Sequence, residues 1–134
     1  RNVTMYKIKD FKVGQLVGVE LTGNASRNKQ GDELIEEWII TTIGRKYITA
    51  TPKNNHYRDY QFEEHECSYA GLIQRTGGYS VDYVLYPSVQ EAQEKKRKEQ
   101  RITTLKQLVD RLKPGDITLD QLDTIVDLLS KPNE

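Results

Sequence analysis

Trp38-Ile39-Ile40-Thr41-Thr42-Ile43-Gly44-Arg45-Lys46-Tyr47-Ile48-Thr49-Ala50-Thr51 is the stretch on which the fold turns. Two runs of mainly β-branched and aromatic residues flank Gly44-Arg45-Lys46. Such side chains suit a pleated, half-buried surface, so the runs read as two strands joined by a turn. Gly44 is expected to supply a left-handed backbone, which glycine adopts without steric cost. Pro52 follows at once, and proline ends a strand because it has no N–H to give to a ladder.

Upstream, residues 16–21 alternate loosely and form another strand. The polar stretch 22–32 that follows is long for a hairpin loop, and long loops often carry function. Downstream, residues 60–62 read as a short strand. Residues 70–74 and 79–86 flank Thr76-Gly77-Gly78 as a second hairpin. Residues 5–86 are therefore expected to form a small antiparallel β-barrel. Met5 reads as the native start, with residues 1–4 as a frayed or added terminus.

At Pro87 the residue period changes. Ser88-Val89-Gln90-Glu91 fits a capping box, in which Ser88 caps the Glu91 amide and Glu91 reaches back. Residues 90–101 are strong helix formers with no large apolar side chain, so they read as an exposed helix or a straight spacer. Ile102, Leu105, Leu108, Val109 and Leu112 then recur at helical spacing as one apolar stripe. Lys113-Pro114-Gly115-Asp116 stops that helix. Thr118 and Gln121 make a second capping box, and Ile117 with Leu122 a hydrophobic staple. Leu122, Ile125, Val126 and Leu129 continue a second stripe. Residues 87–134 are thus expected to be a helical hairpin, giving an α+β fold. The stripes are expected to face each other, the barrel or a partner, which includes a second copy in a homodimer.

The 134 residues carry 20 basic and 20 acidic side chains, for a net charge of zero. Strong non-specific nucleic-acid binding usually shows a basic excess. The balance therefore favours a protein partner, with nucleic acid second. One cysteine, Cys67, makes no internal disulfide, which suits a reducing cytoplasm. No run reaches the ~18 apolar residues of a membrane span, so no membrane partner is expected.

Chemistry-bearing residues are few. His56, His65 and Cys67 fall short of the four ligands of a structural zinc site. Cys67 lies among glutamates, which raise rather than lower a thiol pKa. No phosphate-cradling glycine motif is present. We therefore expect no catalytic residue, metal or cofactor, and no enzymatic activity.

The binding candidates are basic and aromatic. Tyrosine ordinarily packs half-buried in strands, but Tyr47 and Tyr60, flanked by Arg45, Lys46, Arg58 and Arg75, can also offer faces for bases or a peptide. Arg45 and Lys46 at a hairpin tip, beside the loop of Arg27 and Lys29, would make a positive rim. Lys95, Lys96, Arg97 and Lys98 form the one basic run. Its ordinary role is a solvated face offset by Glu91, Glu94 and Glu99. Its functional role is contact with phosphate or an acidic partner.

The run Phe11-Lys12-Val13-Gly14-Gln15-Leu16-Val17, taken with Trp38 to Ala50, resembles small barrels of the KOW or Tudor sort. The whole chain is similar to small β-barrel-domain proteins carried by phages and mobile elements of Gram-positive bacteria. That resemblance implies a binding module, with inhibition of a host defence nuclease as a special case.

Overall fold

The computed structural model describes residues 6–55, 57–65, 71–78 and 80–131. The expected start at Met5, the region around Cys67, and His56, Tyr69 and Tyr79 lie outside them. The chain divides into two compact units, with one boundary between Lys96 and Arg97.

The first unit is a closed antiparallel barrel of six strands: β1 (Leu16–Leu21), β2 (Ile35–Ile43), β3 (Ile48–Pro52), β4 (Tyr60–Glu63), β5 (Leu72–Gln74) and β6 (Tyr83–Tyr86). Each strand pairs with the next, and β1 closes on β6 with Gly18 opposite Tyr86. The β2–β3 hairpin forms where expected, with a register shift between Ile40 and Thr42. Gly44 is not left-handed; positive φ falls on Gly14, Gly23, Gly31, Gly77, Gly78 and Asn28. The reason is that the Gly44 N–H still bonds the Tyr47 carbonyl at 2.8 Å, so Gly44 continues the ladder and the turn lies beyond it.

Alternation along the strands fills the barrel. Val17, Val19, Trp38, Ile40, Ile48, Ala50, Phe62, Leu72 and Leu85 point inward and pack as one core. The 22–34 connection contains two 3-10 turns, Gly23–Ser26 and Gly31–Leu34, before β2 begins.

Helix α1 (Val89–Asp110) starts on the barrel. The expectation of an exposed helix or spacer over residues 90–101 is wrong for the first two turns. Ala92 is fully buried, and Val84, Tyr86 and Ala92 make a second small core. The start of the helix comes close to β1 because Gly18 carries no side chain. A Cβ at Gly18 would lie 2.5 Å from the Ser88 carbonyl oxygen and 2.7 Å from the Val89 Cα. Ser88 caps as expected, accepting from the Glu91 amide at 3.1 Å. The Glu91 carboxylate, however, accepts from the Ser88 hydroxyl, and also from Tyr6 Oη at 2.8 Å.

The second unit holds the rest of α1 and helix α2 (Leu119–Ser130), separated by a 3-10 turn at Pro114–Asp116. The capping box at α2 forms in both directions. The Gln121 amide donates to Thr118 Oγ1 at 3.1 Å, and the Thr118 amide to Gln121 Oε1 at 2.9 Å. The two stripes do not bury each other: their apolar side chains stay largely in solvent, Leu108 at 58% and Leu129 at 66%. No helix among the described residues is long and apolar enough to cross a membrane.

Candidate nucleic-acid interface

In strands β3 and β4, side chains alternate between the core and the outer face. Ile48 and Phe62 point in, so their neighbours Thr49 and Gln61, paired in register, point out. Tyr47 and Arg75 extend the same outer face. The Arg75 amide donates to the Gln61 carbonyl at 2.8 Å, and its Nη1 donates to Gln61 Oε1 at 2.9 Å. That anchoring lays the Arg75 guanidinium over the Tyr47 ring, 4.5 Å from its centroid.

At the barrel end bearing the 53–59 loop, a second arginine meets a second tyrosine. Arg58 Nε donates to Tyr60 Oη at 3.0 Å, and Arg58 Nη2 donates to Tyr60 Oη and, at 3.3 Å, to Tyr83 Oη. The guanidinium carbon is 5.5 Å from the Tyr60 ring centroid. Tyr60 and Tyr83 are held in turn by Trp38. The three ring centroids are separated by 4.9 to 5.5 Å, within the range of favourable aromatic pairs. Trp38 is fixed by its indole N–H, which donates to Glu36 at 3.0 Å. Hydrogen bonding to Tyr60 raises the Arg58 pKa, so its charge is permanent. Burial, with Tyr60 close by, pushes the Tyr83 hydroxyl up, so it stays protonated near neutral pH.

Beside Arg75 runs an open groove of about 540 Å³, lined by Thr49, Asp59, Tyr60, Gln61, Arg75 and Gly77, whereas Arg58 lines a separate one with Glu36, Glu37 and Lys53. Exposed Arg45 and Lys46 lie beside Tyr47 in the β2–β3 turn, and Tyr57, 99% exposed, lies beside Arg58 in sequence. Arg75 and Tyr47 thus lie on the outer face of β3 and β4, while Arg58 sits over the aromatic cluster that Tyr60 and Tyr83 form with Trp38 and the core. The sequence marks Arg75 only as a flanking charge. Its place on Tyr47 depends on the β4–β5 pairing, which no local pattern announces.

The positive rim joining Arg45 and Lys46 to Arg27 and Lys29 does not exist. The 22–34 loop enters β2 at Ile35, and the Arg45-Lys46 turn leaves it at Ile43. Nine residues of strand separate them, roughly 30 Å at ~3.3 Å per residue. Lys29 instead lies 4.0 Å from Glu36. The basic run on α1 is also divided. Lys95 and Lys96 reach back to Glu20 on β1 at 3.3 and 3.1 Å, whereas Arg97 and Lys98 are exposed. Among the described residues no cluster of His, Cys, Asp or Glu gathers as metal ligands would.

A family model described as the phage ProQ C-terminal-like domain matches residues 4–132. No curated protein and no solved structure matches the chain.

Proposed function

The chain belongs to the phage ProQ C-terminal-like domain family, and from that premise we propose that it is a non-enzymatic module of phage or mobile-element origin that binds single-stranded nucleic acid along its arginine–tyrosine face. In this reading the barrel is of the KOW or Tudor sort, it comes from an element of a Gram-positive host, and it works in the cytoplasm, where a chain with one cysteine needs no disulfide. The observation that carries the proposal is the pair of guanidinium–tyrosine contacts, Arg75 over the Tyr47 ring and Arg58 on the Tyr60 hydroxyl, with an open groove beside Arg75. Sequence-tolerant binding of single strands uses this combination: a track of positive charge for the backbone and aromatic or guanidinium planes on which bases stack. Net charge ranks a protein partner above nucleic acid. The local arrangement supports the reverse order, because binding responds to the field at one face rather than to the sum over the molecule.

Fluorescence anisotropy with labelled single-stranded DNA and RNA oligonucleotides tests this across a salt series. Arg58→Ala with Arg75→Ala should weaken binding at least tenfold, as loss of stacking worth ~1–3 kcal/mol per base implies. Equal binding by wild type and double variant, or no binding at low salt, would sink the proposal.

A protein partner is kept as the second reading by one observation. The neighbouring groove of about 420 Å³ is of mixed charge, with Glu36 and Glu37 beside Lys53 and Arg58, and suits a polar peptide better than phosphate.

A further inference from the structure

The second unit presents apolar surface that its own chain leaves uncovered. On α1, Ile102, Leu105, Val109 and Leu112 follow three-four-three spacing, the a and d positions of a heptad. On α2, Leu119, Leu122, Val126 and Leu129 follow the same spacing. All eight remain between 37% and 73% exposed. Together with the neighbouring Leu108 they leave on the order of 800 Å² open, similar to the ~800 Å² per partner in a standard stable interface and above the few hundred for the patches of ordinary monomers. A 12-residue helix such as α2 is marginal in water unless its apolar face is packed.

The charges identify what covers it. The α1 segment from Arg97 to Lys113 is net positive: Arg97, Lys98, Arg101, Lys106, Arg111 and Lys113 oppose only Glu99 and Asp110. The segment carrying α2 is net negative: Asp116, Asp120, Asp123 and Asp127 oppose Lys131. One α1 seam laid on another would set like charges together. A surface that is basic on one helix and acidic on the other is complementary to itself, as a two-fold interface requires.

We propose that residues 97–131 are a homodimerisation module, in which α1 of one copy packs on α2 of a second and the reverse, closing a four-helix bundle. The dimer carries two barrels, so a strand held by one raises the effective concentration of the same strand at the other.

Sedimentation equilibrium of the full chain, from low micromolar to high micromolar, tests this. The expected result is a mass of twice 15.5 kDa. Leu105→Glu with Val126→Glu should give a monomer whose barrel still melts cooperatively. Lys106→Glu with Arg111→Glu should raise the dimer Kd about tenfold, as removal of complementary interface charge does. Adding Asp120→Lys with Asp123→Lys should restore it. A monomer at every concentration overturns the proposal and leaves the face to a different protein. A dimer that survives the glutamate pair overturns the location. A dimer indifferent to the charge reversals overturns the pairing of α1 with α2.

Discussion

Glu20 on β1 and Lys96 on the second turn of α1 lie 3.1 Å apart across 76 residues of sequence, and Lys95 joins the same carboxylate at 3.3 Å. Glu20 is 3% exposed, beneath Tyr86, whose hydroxyl is 3.4 Å away. This is the polar clamp that holds the start of α1 to the barrel. A carboxylate out of water is tolerated only when it is paired and hydrogen-bonded, which explains why two lysines converge on it.

Removing the carboxylate should therefore cost more than removing either lysine. Glu20→Ala removes the carboxylate that Lys95 and Lys96 share, and we expect a loss of about 2–4 kcal/mol in urea unfolding. Lys96→Ala leaves Lys95 in place and should lose less. Equal losses for the two variants would show that Glu20 does not hold both.

Gly18 should tolerate no side chain. Its Cβ would fall 2.5 Å from the Ser88 carbonyl, a backbone atom that cannot swing aside. Gly18→Ala should cost about 1–3 kcal/mol through overpacking, or lift the first turn of α1 off the barrel. Gly115 is the control, since nothing lies within 4 Å of its Cβ position. Thermal melts of Gly115→Ala should match the parent within about 1 kcal/mol.

Binding should track one face of the barrel. On a single strand, the slope of log K against log salt should fall by roughly 0.7 for each phosphate that a variant no longer neutralises. Arg45→Ala and Lys46→Ala, beside Tyr47, should each lower it. Lys29→Ala, close to Glu36 at the other end of β2, should not. Anisotropy titrations at several salt concentrations measure the slopes directly.

Alkaline stability should depend on Tyr6. Burial, then its hydrogen bond to Glu91, pushes the Tyr6 pKa up to about 12. An unfolded tyrosine ionises near 10, so between pH 10 and 12 the unfolded chain releases a proton that the folded chain retains. Stability is undisturbed by this group below pH 10 and falls as pH rises through that window. Tyr6→Phe should flatten the fall in a series of melts at high pH. An unchanged pH profile would remove Tyr6 as its cause.

The parts legible in the sequence are those carried by short-range pattern. The β2–β3 hairpin, the β1 strand and the Thr118–Gln121 cap follow from alternation, proline and local hydrogen bonding, all decided within a few residues. Half of the proposed binding face is legible too: Arg45, Lys46, Tyr47, Arg58 and Tyr60 stand out as cations next to tyrosines. What pattern alone misplaces is their grouping. Arg45 and Arg27 are near in sequence only through a strand that carries them to opposite ends, and Arg75 reaches Tyr47 only through the β4–β5 pairing.

Amino-acid order alone determined where the chain alternates, where it coils and where each change occurs, because strand and helix periods are properties of neighbouring residues. Barrel closure, the pairing of Arg75 with Tyr47 and the seating of Ser88 and Lys96 on Gly18 and Glu20 were decided only in three dimensions. Those contacts join residues tens of positions apart, and which of them form depends on strand register and on what comes to lie over Gly18, neither of which any local stretch encodes.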